Sequence, residues 1–368
     1  MANHRLAPIG RVLGFCALVA ALRSSAEQAR DVAPIDRRAL VARHNVVHRA
    51  ATAENFLQVG NGEFAFAFDA TGLQTLDREF APAIPLHTMA NWGWHRFPNV
   101  DGRRYEETLS EFVVGRRTPT YADRQNTPAG EHFRANPHRF NLGRIGLWWR
   151  GQDAGGAVES ADFTEFEQTL DLWRGVATSR YRFRGEPVVV TTVAHPRRDA
   201  IAVRIESPLV TRGELGVAVR FSYPRGEWGP AVDDFEQSER HRTTMRRDPA
   251  GPVAFARQVD DMQYLATCDP GPDAVVESWN EHARRINWLG ADAGELVVEF
   301  RADDSHRDAS PAEHAPAAAT TSFADVRAAA AAHWESFWSN GGAIDLGAVA
   351  DPRARELERR IVLSQYLA

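Results

Sequence analysis

R-Y-R-F-R-G-E-P-V-V-V-T-T-V, residues 180–193, decides the fold class. Tyr181 and Phe183 alternate with arginines, the period of two that buries one face of a strand. Gly185-Glu186-Pro187 reads as a turn, and a β-branched run follows from Val188 to Val193. The same alternation recurs on both sides. Upstream, Phe64, Phe66 and Phe68 share one face, with Ala65, Ala67 and Asp69 on the other. Downstream come Ile201, Val203 and Ile205, then Leu215, Val217, Val219, Phe221 and Tyr223, and late in the chain Leu296, Val298 and Phe300. Short strands with turn signals and no helical pattern between them predict an antiparallel sandwich, not a βαβ fold. The strand-rich span, from about residue 56 to 302, is roughly twice an immunoglobulin domain of about 100 residues and predicts a larger two-sheet supersandwich with long loops.

The pattern then changes. Residues 301–320 are rich in Asp, Ala, Pro and His and read as an exposed linker. Ser322 with Asp325 forms a capping box that opens a helix. Phe323, Val326, Ala330, Trp334, Phe337 and Trp338 line one face of it, and Gly341-Gly342 ends it. A last helix begins at Asp351-Pro352, good N-cap and first-turn residues. Leu357, Ile361 and Leu367, with Val362 and Leu363, form its expected buried stripe. No Gly, Asn or basic last turn closes that helix. The expected order is therefore a signal at 1–26, a β-supersandwich at 27–302, a linker with helix at 303–349, and at 350–368 the first helix of a further, helical part.

A formal net charge of -6 over 368 residues argues against a nucleic-acid partner, which needs a basic face. All 43 basic residues are arginine, which excludes a lysine Schiff base, a P-loop lysine and a Ser-Lys pair. His4, Arg5 and Arg11 precede an apolar run at 12–22, too short to span a bilayer, and Ser24-Ser25-Ala26 offers a cleavage site. The reading is an export signal and a periplasmic or secreted bacterial protein, with no membrane association after cleavage. Cys16 lies in the signal, and Cys268 alone makes no intrachain disulfide and no cysteine-based zinc site.

The chain resembles the N-terminal β-sandwich region of bacterial six-hairpin glycosidases, especially enzymes of the glycoside hydrolase family 65 type. F-L-Q-V-G-N-G-E-F at 56–64 is similar to that family's opening signature. T-T-V-A-H-P at 191–196, followed by D-A-I-A-V-R at 199–204, resembles its central strands, and H-W-E-S-F-W at 333–338 its linker helix. Residues 356–367 resemble its first barrel helix. The resemblance implies a galactose-mutarotase-like supersandwich ahead of an (α/α)6 barrel that would pack on it. It further implies cleavage of glycosidic bonds in an oligosaccharide or glycoside, by hydrolysis or phosphorolysis, with a catalytic acid in the barrel. No catalytic residue is carried onto this chain.

The most site-like stretch is P-L-H-T-M-A-N-W-G-W-H-R-F-P-N at 85–99. Indole faces stack on sugar C–H surfaces, while hydroxyls need amide, imidazole or guanidinium partners. Asn91, Trp92, Trp94 and His95 are the candidate substrate contacts. The alternative is that the tryptophans pack the core or the junction with the helical part. Asn61 and Glu63 are weaker candidates, because Gly60-Asn61-Gly62 reads first as a tight turn. Trp148, Trp149, Trp228 and Trp288 read as core or rim. The adjacent carboxylates Glu106-Glu107, Asp233-Asp234 and Asp260-Asp261 read as solvated surface, since strand neighbours point to opposite faces. Thirteen histidines, His132 and His138 among them, show no H-E-x-x-H or comparable cluster, so neither a metal nor any other cofactor is expected. A non-catalytic carbohydrate-binding module is the alternative function, and a mutarotase-like epimerase ranks below it.

Overall fold

The computed structural model describes residues 34–52, 54–82, 86–151, 158–225, 233–247, 252–303 and 321–368. The expected signal at 1–26, nearly all of the linker at 304–320, and Trp228 lie outside the described residues. In chain order the principal strands are β1 (Val46–His48), β2 (Leu57–Gly60), β3 (Phe64–Phe68), β4 (Thr88–Ala90) and β5 (Arg144–Trp149). Next come β6 (Phe163–Asp171), β7 (Val176–Phe183), β8 (Glu186–Ala194), β9 (Ala200–Glu206) and β10 (Leu215–Arg220). The last are β11 (His241–Arg247), β12 (Val253–Val259), β13 (Met262–Asp269), β14 (Val275–Asn280), β15 (Ala283–Asn287) and β16 (Ala293–Ala302). The helices are α1 (Arg37–Ala42), α2 (Pro128–Ala135), α3 (Phe323–Asn340) and α4 (Arg353–Leu367), with shorter turns between strands.

The chain is mainly β. A nine-stranded sheet runs β1-β6-β7-β8-β9-β16-β13-β12-β11, and a four-stranded sheet runs β14-β15-β10-β5. A three-stranded sheet, β2-β3-β4, completes the main framework, and every pairing in the three is antiparallel. Phe66 and Phe68 from the small sheet, Val190, Val203 and Ile205 from the large one, and Val217 and Val219 from the four-stranded one share a single core. Such side chains contribute about 1.5–3 kcal/mol each on full burial. No helix among the described residues is long and apolar enough to cross a membrane.

Two readings of the deciding stretch are refined. Phe183 pairs with Glu186, so the turn is Arg184-Gly185, both with positive φ (50° and 87°). This is the two-residue hairpin whose twist matches its strands. Glu186 and Pro187 already belong to β8, before that strand's pairing with β9 begins at Val189, so the missing proline N–H costs no ladder bond. The outer face of the large sheet, moreover, is not solvated. Val176, Val193, Ala202 and Val297 pack there against Phe323, Val326 and Ala330 of α3. The expected Ser322/Asp325 capping box is present.

The expected stripe on α4 is buried only in part, at Val362 and, partially, at Ile361 and Leu363. Leu357 and Leu367 are 54 % and 56 % exposed, whereas Ala354, Glu358, Val362 and Tyr366 are buried. Glu358 decides the rotation of the helix. Its carboxylate accepts Arg43 Nε and Nη2, each at 2.8 Å, contacts His44 Nε2 at 2.5 Å, and accepts the Leu346 N–H at 2.6 Å. Arg43 and the bonded N–H hold this carboxyl down at about 2. A glutamate reads as surface in any apolar periodicity, so the sequence pattern misplaced part of the buried face.

Residues 69–76 form a buried loop that the strand pattern does not announce. Asp69 Oδ1 accepts the Thr71 N–H at 2.8 Å, and Oδ2 accepts that of Leu76 at 2.7 Å. Gln74 donates to Ala67 O at 2.9 Å and accepts from Ile145 N at 3.1 Å, bridging β3 to β5. Gln168, Tyr181 and Thr192 of the large sheet donate to the carbonyls of Asp69, Thr71 and Gly72. Gly72 has φ +84°, and a Cβ there would lie 2.9 Å from Val190 Cγ1.

Two stability predictions follow from this packing. Glu358→Gln is expected to cost about 2 kcal/mol in urea unfolding, because its amide turns a donor toward the Arg43 guanidinium or the Leu346 N–H that the carboxylate accepts, while Leu357→Gln should stay within about 0.5 kcal/mol. Equal costs would return the helix to its apolar register. Gly72→Ala combines a left-handed backbone with a close contact and is expected to lower stability by about 2 kcal/mol or more. A neutral result in the same assay would show that the loop does not bind the sheets together.

Candidate functional site

The Gly60-Asn61-Gly62-Glu63 turn joins β2 to β3, and its geometry is set by Asn61. The side-chain oxygen of Asn61 accepts the Glu63 and Phe64 N–H groups at 2.9 and 2.7 Å, which closes the turn. Gly62, not Asn61, carries the positive φ, at 91°. The amide of Asn61 donates to Arg198 O at 3.1 Å and to Asp199 Oδ1 at 3.4 Å. Asp199 Oδ2 in turn accepts Trp92 Nε1 at 2.7 Å. One carboxylate thus ties the turn to the 91–95 segment. Burial raises the Asp199 carboxyl above its ordinary value, against the two side-chain hydrogen bonds that lower it.

Beside this anchor lies a cleft of about 490 Å³. The turn residues, Asn91 and Arg139 form one side; Trp334 and Tyr366 line the other. Trp334 and Tyr366 stack with centroids 4.5 Å apart, so α3 and α4 present a continuous aromatic wall. Arg139 donates to Ala90 O at 2.6 Å and to Asn91 Oδ1 at 3.2 Å, and its guanidinium lies 4.6 Å over the Trp94 ring. Trp94 is 45 % exposed, Asn91 is exposed and Trp92 is half-buried with its N–H engaged.

His95 stands apart from the other three candidates. It is completely buried and does not line the cleft. His138 Nδ1 lies 2.8 Å from Ala135 O, a carbonyl that only accepts, so Nδ1 carries hydrogen and neutral His138 offers Nε2 as an acceptor. His95 Nδ1 lies 3.3 Å from that atom, and its Nε2 lies 2.8 Å from Asp260 Oδ2, which also accepts Tyr223 OH at 2.7 Å. The three contacts of the His138–His95–Asp260 chain need three hydrogens, and two neutral imidazoles hold two. Burial keeps both histidines below their ordinary value, so near neutral pH the shorter contact to Asp260 takes the His95 proton. His95 links the 91–95 segment to the β12–β13 hairpin through Asp260.

The readings of the acidic pairs also change. Asp233 is buried and held by Arg144, Asn141 and Ser222, and Asp234 by Gln237; neither is solvated surface. Glu106 and Glu107 are exposed. Trp148 and Trp288 are core residues. Sequence reasoning missed Arg139, Asp199 and Tyr366. Asp199 lay inside a stretch noted for its family resemblance; Arg139 and Tyr366 carried no signal because their partners are distant in the chain. No cluster of potential metal ligands occurs among the described residues.

No protein-family model matches this chain, and no curated protein does. Among solved structures it is similar to one described as "Putative kojibiose phosphorylase from human microbiome", with TM-score 0.39 and 9% identity. The match covers 87% of this chain and 37% of that one, so the chain spans little more than a third of that protein's length.

Buried neutral histidines give the fold a pH dependence. His241, stacked 3.8 Å from His282, is held at about 3 by burial and by the Arg257 guanidinium. Its unfolded value is the ordinary 6.5, so the unfolded chain takes up the proton first as pH falls. Stability from His241 is therefore present above 6.5 and declines below it, by about 1.4 kcal/mol per pH unit. His95, His138 and His282 act in the same sense. Asp69, raised to about 6 by burial, acts oppositely, because the folded state protonates first. Urea unfolding is expected to show lower stability at pH 5 than at pH 7.5, and His241→Gln should flatten that slope by about one proton. An unchanged slope would remove His241 from the linkage.

Proposed function

We propose that this chain is the β-supersandwich part of an exported carbohydrate-active enzyme that cleaves glycosidic bonds by hydrolysis or phosphorolysis. In this reading the sandwich comprises residues 27–302, α3 is the linker helix, and α4 opens an (α/α)6 barrel that carries the catalytic acid. The cleft that joins the Gly60–Glu63 turn, Asn91 and Arg139 to the aromatic wall of α3 and α4 carries the proposal. It places exposed polar groups, including Glu63, beside stacked aromatic rings, the pairing that pyranose recognition needs. The order of sequence motifs supports the same reading: opening turn, central strands, linker helix and following helix. Trp94 and Asn91 are the proposed sugar contacts, with Arg139 positioning both.

A non-catalytic carbohydrate-binding module is the second reading, favoured by the exposed Trp94 ring. Activity separates the two when a longer protein containing residues 1–368 is compared with the chain alone. The chain alone is expected to bind a neutral oligosaccharide weakly and to turn over no disaccharide, with or without inorganic phosphate. Trp94→Ala should weaken binding by about tenfold, since stacking on a tryptophan contributes roughly 1–1.5 kcal/mol. Enzyme-like turnover by residues 1–368 alone would sink the assignment of catalysis to a barrel. Binding that survives Trp94→Ala unchanged would remove the 91–94 segment from the site.

A further inference from the structure

On the outer face of the four-stranded sheet lies a second concavity, of about 550 Å³, which shares no lining residue with the cleft. Small residues line part of its floor. Gly146 of β5 and Ala218 of β10 are direct register partners; the Gln74–Thr75 backbone packs over Gly146, where a Cβ would lie 2.8 Å from Gln74 O, and that segment lines the groove beside them. Trp279 forms one wall and is 38 % exposed, with the Arg285 guanidinium 4.5 Å from its ring. Asp77, Glu79, Ser160 and Arg220 supply polar groups around it.

The charge pattern selects the ligand. Arg220 donates to Asp77 Oδ1 at 3.1 Å, and Arg144 Nε lies 3.4 Å from Asp77 Oδ2 while its Nη2 engages Asp233. The two guanidiniums are matched by two carboxylates, and Glu79 and Glu159 at the rim balance Arg78 and the Arg285 guanidinium at Trp279. A phosphate or sulfate would meet no unpaired buried cation and would face these carboxylates. A neutral polyhydroxylated ligand meets no such penalty. Carboxylates and guanidiniums already oriented by one another bond hydroxyls, and the indole receives a sugar's C–H face.

We propose that this groove is a second carbohydrate site that takes a neutral oligosaccharide and is separate from the cleft beside Asn91 and Arg139. It would hold a glycan on the far side of the four-stranded sheet, whatever chemistry the rest of the enzyme performs. The test uses the 1–368 chain on an array of neutral, uronic-acid and sulfated oligosaccharides, with hits titrated by calorimetry. Trp279→Ala is expected to weaken a neutral hit by about tenfold or more, and Ala218→Leu, which fills the floor, to do the same. Trp94→Ala should leave that hit unaffected. Trp279 is exposed, so its variant folds even if Ala218→Leu does not. The proposal is overturned if no neutral glycan binds, if only acidic glycans bind, or if the hits depend on Trp94 and not on Trp279. Loss of the Trp94-dependent hits alone would sink the cleft reading and leave this one standing.

Discussion

The buried loop at residues 69–76 is the constraint on which the rest of the sandwich depends. A loop in the interior must find partners for its backbone polar groups, since water is absent. Here side chains from several strands supply them. Asp69 closes the loop on itself, Gln74 ties it to β3 and β5, and Gln168, Tyr181 and Thr192 reach it from the large sheet. The three main sheets therefore cannot slide independently of one another. Each bond contributes only about 1 kcal/mol net, but leaving any of these buried groups unpaired costs more.

That constraint also sets the cleft. Phe64, Phe66 and Phe68 anchor β3 in the core, so the turn preceding β3 emerges at a fixed point on the surface. Asp199 then fastens the turn to Trp92, and Arg139 holds Asn91 and Trp94. His95 links the 91–95 segment to the β12–β13 hairpin. A segment held by three separate polar anchors would lose little freedom on meeting a ligand, which favours affinity. On the opposite side, Glu358 fixes the rotation of α4 and so presents Tyr366 to Trp334.

The candidate site was only partly legible in the sequence. Asn91, Trp92, Trp94 and His95 stood out together because aromatic and amide residues with Gly and Pro punctuation mark a loop. The structure divides their duties: Trp94 and Asn91 are exposed, Trp92 is half-buried against an anchor, and His95 is interior. Sequence adjacency could not make that division, because exposure depends on what packs from elsewhere. Asp233 and Asp260 read as surface in the sequence for the same reason. Arg144, His95 and Tyr223 lie tens of residues from their partners, and Ser222 lies 11 away.

By itself the sequence determined the strands, the antiparallel class and the capped helix that follows, because a period of two and a capping box are local properties of neighbouring residues. It could not determine the rotation of α4, where a buried glutamate outweighs part of an apolar stripe, nor that the large sheet is covered on both faces. Nor could it show the loop at 69–76 as interior, or the second groove lined by Gly146 and Ala218. Those were decided by tertiary structure alone. Each depends on a residue meeting a partner distant in the chain, and periodicity records only which residues avoid water.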